Sequence, residues 1–224
     1  MENDEAAAPE MANSSCLKTA IEDLPIEIND EQTGQLEAYC HLLWDWNQKV
    51  NLTRHTNYDL FARRDLLDSY ELAKLIEPGE DVLDVGTGGG VPGILLAILR
   101  PDVNVSLCDS VAKKAKITGY IVKKLDLPVA VYPTRVQDVL EDLRFHSLTA
   151  RAVGSLRKLL SWLEDSWLGF DRLLAIKGPR WVDERKEARH RGLLNGVELR
   201  RLAAYNMPGT ESESVILQVN RERG

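Results

Sequence analysis

The most constraining feature of this chain is a ten-residue stretch, Asp84-Val-Gly86-Thr-Gly88-Gly-Gly90-Val-Pro-Gly93, placed directly after the apolar run Asp81–Val85. A short apolar strand that runs into clustered glycines and then into helix-forming residues reads as a strand–loop–helix unit. Glycines there let the backbone turn sharply and let a ligand approach the main chain with no Cβ in the way. Pro92 suits a first helical position. A ligand held by such a loop lies outside the carboxyl end of a parallel sheet.

The rest of the chain supplies that sheet. Strands are expected at Val103–Cys108, Pro128–Tyr132, Ser147–Ala150 and Arg172–Ile176. Helices alternate with them at Val111–Leu125, after Arg135, at Ser155–Trp167 and at Arg180–Leu194. Two final strands, Glu198–Tyr205 and Ser214–Val219, have no helix between them and enclose Pro208-Gly209. The pattern predicts a doubly wound α/β fold of seven strands, the last one antiparallel. Before it, Leu36, Tyr39, Cys40, Leu43, Trp46 and Val50 recur at helical steps. A second helix is expected from about Tyr58 to Ile76, with Leu60, Phe61, Leu67, Tyr70 and Ala73 inward and Pro78-Gly79 ending it. The organisation read from this is an acidic tail over residues 1–30, a helical layer over 31–80 and a ligand-binding domain over 81–224. The tail is expected to be disordered to about residue 20.

Composition narrows the class. No apolar run approaches the ~18 residues of a membrane helix. The start, Met1-Glu-Asn-Asp-Glu, is unlike a secretory signal. Cys16, Cys40 and Cys108 form neither a disulfide framework nor a zinc motif, and a cytoplasmic location is expected. The net charge of −7 is unevenly placed: residues 1–80 hold 17 acidic and 6 basic side chains, residues 81–224 hold 18 and 22. The larger part, at +4, can present a basic face to phosphates, although ordinary solvated surface has the same composition.

Two frames fit the glycine loop. Gly88-x-Gly90-x-x-Gly93 formally matches a dinucleotide fingerprint, but starts late after the strand and has a proline in the first helical turn. The other is acidic-x-Gly-x-Gly-x-Gly, met by Asp84, Gly86, Gly88 and Gly90. It resembles the first motif of class I S-adenosylmethionine (AdoMet) methyltransferases, whose sheet also has seven strands with the last reversed. Asp109 stands 23 residues after Gly86, at the end of the second strand. A carboxylate there accepts from ribose hydroxyls in either case, or caps the following helix.

Further segments resemble the RsmG (GidB) family of bacterial methyltransferases acting on 16S ribosomal RNA. They are Trp46-Asn47 and Asn51-Leu-Thr53, Arg64 with Leu67-Asp68-Ser69, Val82 through Gly93, Asp109-Ser110 with Lys113-Lys114, Arg135-Val136-Gln137, Arg151-Ala152 and Lys177-Gly178, covering roughly residues 36–200. The resemblance implies AdoMet as methyl donor, with Gly86 and Val91 lining its site, Val136 and Gln137 toward adenine, and Arg151 reaching its pocket. It implies methylation at N7 of one guanine, with 16S RNA or the small subunit as partner. Arg64 and Lys177 are the RNA-binding candidates. Two positions depart from the family pattern: Gln137 stands where Glu is usual, and Asp65 where His is common. Asp65 would weaken RNA contact or pair with Arg64.

N7 carries a lone pair and no proton, so such a reaction needs no general base, and no nucleophile, acid/base pair or metal site is assigned. His41, His55, His146 and His190 lack metal spacing and read as structural or surface groups. Trp46 reads as core, Trp44 as core or base-stacking, and Cys108 as buried and inert. The basic run Arg185, Lys186, Arg189, His190, Arg191 serves RNA contact or solubility. The competing functions are a nicotinamide-dependent oxidoreductase, a methyltransferase of a protein or small molecule, and a binding protein that has lost catalysis.

Overall fold

The computed structural model describes residues 14–221. Seven strands form one sheet in the order β3-β2-β1-β4-β5-β7-β6. They are β1 (Asp81–Val85), β2 (Asn104–Cys108), β3 (Ala130–Tyr132), β4 (Phe145–Arg151), β5 (Phe170–Lys177), β6 (Val197–Asn206) and β7 (Glu213–Arg221). The first five pair in parallel, and β7 runs antiparallel between β5 and β6. From β1 the chain steps outward to β2 and β3, then returns to place β4 on the other side of β1. That reversal is the topological switch point, where the crossovers leave a crevice at the carboxyl ends of the strands.

Both faces of the sheet are covered, which explains why the central strands are almost continuously apolar. On β1, Val82 belongs to one core and Leu83 and Val85 to the other. β5 divides likewise, Leu174 and Ile176 against Leu173 and Ala175. The first core lies under α5 (Gly93–Leu99), α6 (Ala112–Lys124) and the amino-terminal helices, the second under α7 (Val136–Asp142), α8 (Leu156–Leu163) and α9 (Trp181–His190).

The amino-terminal helices differ from expectation in three ways. Residues 1–13 lie outside the described residues, but Leu17–Ile21, inside the expected tail, forms helix α1. Leu17 is fully buried, and its N–H donates to Glu37 Oε1 at 2.8 Å. Leu17, Ala20 and Ile21 stand at helical spacing, but a five-residue run is too short for periodicity to reveal a helix. Helix α2 (Asp30–Asn47) starts with an Asn29–Gln32 capping box and buries Leu36, Tyr39, Cys40 and Leu43. Trp46 is only half-buried, edge-on to exposed Tyr120. The third difference is within the second helix. It runs as α3 (Tyr58–Leu60), a π-helical stretch Phe61–Leu66, and α4 (Leu67–Ala73). The wider turn changes which side chains face inward, so Asp65 and Asp68 are buried beside Phe61 and Leu67.

Candidate cofactor and acceptor site

The crevice holds a cavity of about 390 Å³ at the ends of β1, β2 and β4. Val85, Gly86, Cys108, Asp109, Ser110, Thr134, Arg135, Val136, Gln137, Val153 and Trp162 line it. Gly86, Asp109, Val136 and Gln137, assigned from separate segments, thus meet in one space. Gly86 has φ +65°, and a Cβ there would lie 2.8 Å from Val153 Cγ1. The position therefore needs glycine for both backbone and packing.

The N-cap position of α6 is Val111, so Asp109 braces the turn before the helix and does not cap it. Its Oδ1 accepts from Val111 N–H at 2.8 Å at the entry to α6, and its Oδ2 accepts from Gly88 N–H at 2.9 Å. Each carboxylate oxygen has a second lone pair, so acceptor capacity remains for a ribose hydroxyl. Gln137 presents a neutral amide to the cavity. Cys108 is buried as expected, and burial pushes its thiol up to about 12, but it lines the cavity as well.

Asp84, Gly88, Gly90 and Val91 do not line this cavity. Asp84 works beneath the loop: fully buried, it accepts from Gly93 N–H at 3.1 Å and from the Thr149 hydroxyl at 2.9 Å. Burial raises its carboxyl to about 6, against the pull of those bonds. A Cβ at Gly93 would meet Leu107 at 2.2 Å and Asp84 Cβ at 2.8 Å, so the helix can sit this close to β1 only with glycine there. Helix α5 begins at Gly93, and Pro92 stands just before it. Leu43 and Leu52 pack over Gly89, while Tyr39 donates to its carbonyl at 2.9 Å. The helical layer thus holds the glycine loop from outside.

Arg151 lies apart from this cavity. Its Nη2 meets Asp65 Oδ1 at 2.8 Å and its Nε donates to Asp68 Oδ2 at 2.6 Å. Tyr205 donates to Asp68 Oδ1 at 2.7 Å, and His55 Nδ1 lies 2.8 Å from Asp65 Oδ1. Burial alone would lower the affinity of Arg151 for its proton, but Asp65 and Asp68 reverse that and raise it. Burial and Asp68 together hold the Tyr205 hydroxyl protonated. Asp65, the departure at the position after Arg64, therefore pairs with Arg151 and His55, not with Arg64.

A second cavity of about 370 Å³ opens beside Arg151, lined also by Arg54, His55, Asp68, Ala152, Gly154, Ile176, Lys177, Gly178, Glu184 and Ser214. Between the two cavities runs Ala152-Val153-Gly154, where Ala152 has φ +56°. A non-glycine residue in that region costs about 1–3 kcal/mol and is often found at ligand sites. Lys177 is buried and already engaged, donating to the Gly154 carbonyl and to Glu184 Oε2 at 2.9 Å. It is not a free phosphate-binding lysine. Arg64 is half-buried on the π-helical stretch, away from both cavities.

Other expected groups resolve simply. Trp44 Nε1 donates to the His55 carbonyl at 2.8 Å, a structural role. On α9, Arg185 stacks on Trp181, Lys186 pairs with Asp183, and Arg189 is exposed. Among the described residues no cluster of His, Cys, Asp or Glu could hold a metal ion, and no helix is long and apolar enough to cross a membrane. Sequence reading missed Val153 and Trp162. Both lie outside the glycine loop, and only the packing of β4 and α8 against β1 brings them to the cavity.

The parallel sheet with a reversed strand beyond β5, the glycine loop after β1 and an acidic residue after β2 define a class I methyltransferase fold. Solved structures agree on that fold. The O-methyltransferase from Bacillus cereus in complex with SAH superposes with a TM-score of 0.60 at 14% identity, covering 91% of this chain and 96% of that one. TrmK of M. capricolum in complex with S-adenosyl-homocysteine gives 0.55 at 16% identity, covering 69% and 68%. The family model for rRNA small subunit methyltransferase G (GidB) matches residues 32–212, and the chain belongs to that family. It is 53% identical over 196 residues to the Ribosomal RNA small subunit methyltransferase G of Rhodopirellula baltica, covering 88% of this chain and 85% of that protein. It is 34% identical to the protein of the same name in Pseudomonas syringae pv. tomato, covering 92% and 95%.

Proposed function

We propose that this protein transfers a methyl group from AdoMet to N7 of a guanine in 16S ribosomal RNA, in the cytoplasm. The observation that carries the reading is the cavity at the switch point of a chain that belongs to this family, with Gly86, Asp109, Val136 and Gln137 on its wall. Gly86, Asp109, Val136 and Gln137 would hold AdoMet there, and it would supply an electrophilic methyl carbon to the lone pair of N7, the electron pair of the S–C bond passing to sulfur.

The chain's own residues have three tasks. Asp109 fixes the ribose through hydroxyl donors, oriented by the two N–H groups it already accepts. Val136 and the half-buried Trp162 would offer apolar surface to the adenine, and Gln137 an uncharged amide. Val153 and Gly86 close the wall toward the second cavity. Positioning and exclusion of water then account for catalysis without a general base. Arg151, held between Asp65 and Asp68, keeps that wall in place by orienting the end of β4. RNA phosphates meet the exposed cations of α9 and its flanks.

The test is mass spectrometry of 16S RNA from cells with and without the gene, together with calorimetric titration of the purified protein with AdoMet and with NAD. A 7-methylguanosine that disappears with the gene, and binding of AdoMet alone, are expected. An unchanged RNA or preferential NAD binding refutes the reading.

A further inference from the structure

The second cavity is lined by Arg54, Asp68, Arg151, Lys177 and Glu184, and the last four stand in ion pairs, Asp68 with Arg151 and Glu184 with Lys177. Each oxygen of Asp68 already holds one bond, to Arg151 Nε and to the Tyr205 hydroxyl, Arg151 Nη2 meets Asp65, and Lys177 donates to Gly154 and Glu184. Glu184 differs. Its Oε2 accepts from Leu156 N–H at 2.7 Å and from Lys177, while its Oε1 accepts nothing from the described residues. The carboxylate is thus fixed by one oxygen and open at the other. It lines the cavity from the first turn of α9 and is one-quarter exposed.

We infer that this cavity receives the acceptor purine and that Glu184 is the residue that selects guanine, by accepting from N1–H and the N2 amino group. This deepens the proposed function and rests on it. Three observations favour a base over a phosphate. Two cations, Arg151 and Lys177, are held by Asp65, Asp68 and Glu184, which leaves exposed Arg54 as the one lining cation with no ion pair among the described residues. A phosphate would also lie against the open oxygen of Glu184, acceptor facing acceptor. Finally, only the thin Ala152–Gly154 segment separates this cavity from the one holding Gly86 and Asp109, as a transfer between two bound molecules requires.

Of the four bases, only guanine presents two adjacent donors on its Watson–Crick edge, and an ionised carboxylate is purely an acceptor. Hydrogen bonds to a charged partner contribute ~1.5–3 kcal/mol, about tenfold or more in affinity. The selection also assists the reaction: N7 methylation makes the purine positive and its N1–H more acidic, so the carboxylate binds the product-like ring better than guanine itself.

The probe is 7-methylguanosine 5′-monophosphate, titrated by its fluorescence into full-length protein saturated with S-adenosylhomocysteine, at a mildly acid pH where N1 keeps its proton. We expect a preference over AMP of about tenfold or more, falling below about threefold in Glu184→Gln, whose amide oxygen still accepts from Leu156 N–H. Affinity for S-adenosylhomocysteine should stay within about twofold. A preference retained by the variant overturns the assignment. So does a loss of more than about fivefold in S-adenosylhomocysteine affinity, which would place Glu184 at the donor's end instead. A second measurement needs no variant: 7-methylinosine 5′-monophosphate, lacking the N2 amino group, should bind wild-type protein several-fold more weakly, and equal binding is decisive against the inference. These outcomes are separate from those of the RNA mass spectrometry, which can succeed with Glu184 irrelevant.

Discussion

Gly86 and Asp84 lie two residues apart and are subject to different physics. At Gly86 the backbone has φ +65° and Val153 occupies the space a side chain would need. Gly86→Val should weaken AdoMet binding by ~2 kcal/mol or more, through a β-branched residue forced into the left-handed region and displacement of the cavity wall. Calorimetry on the folded variant checks this, and near-normal affinity would show that the site is elsewhere. Asp84 is a question of protonation. Its folded-state value of about 6 exceeds the ordinary 3.8, so the folded protein binds its proton more tightly than the unfolded chain. Its contribution is therefore fully favourable at pH below the ordinary value and is lost as pH rises through about 6. Some two units correspond to ~3 kcal/mol. Asp84→Asn keeps an acceptor for Gly93 N–H and removes the titration. Urea unfolding of both proteins across that window should show wild-type stability falling relative to the variant as pH rises. Parallel curves would contradict the burial argument.

Among the elements, α1 was illegible and matters. Its five residues contain one fully buried side chain, Leu17, seated against the α2 and α3 region. Leu17→Ala should cost about 2–4 kcal/mol in urea unfolding, the ordinary penalty of a cavity in a packed core. A loss under ~0.5 kcal/mol would return this stretch to the status of a tail. The π-helical stretch was equally hidden. Periodicity identifies a helix over residues 58–76, but not the widened turn that buries Asp65 and Asp68. That turn decides where Arg151 goes. The motif Arg151-Ala152 was visible, its contact with Asp65 was not, because the partners are 86 residues apart in sequence. Strand and helix alternation after residue 80, by contrast, is a local property of each segment and matched throughout.

For the molecule as a whole, charge separates into an acidic first third and a basic remainder. If phosphates are gripped by the basic part, RNA affinity should fall steeply with salt, with a slope that counts contacts. The acidic start should oppose binding. Because Leu17 is part of the core, the informative truncation ends at residue 13; it removes Glu2, Asp4, Glu5 and Glu10. At low salt the truncated protein should bind 16S RNA modestly more tightly, with AdoMet affinity unchanged. At ~0.5 M salt, where screening acts within a few ångströms, the difference should vanish. Filter binding across a salt series distinguishes the outcomes: salt-independent affinity refutes the electrostatic reading, and weaker binding after truncation means that the segment makes contacts of its own.

The sequence by itself determined the features whose causes are local. The glycine loop, the acidic residue after β2, the β/α alternation and the final strand pair each follow from a few neighbouring residues. Together they place Gly86, Asp109, Val136 and Gln137 at the ends of the same strands. Only the tertiary structure decided which groups brace the fold around the cavities and which line them. Asp84 proved to be a brace under the loop, Arg151 the centre of a buried ion network, Lys177 a paired cation, and Glu184, Val153 and Trp162 cavity-lining residues. The reason is that a charged side chain's role depends on what remains unpaired after folding, and pairing across β4, α4, α9 and β6 is set by packing between segments distant in the chain.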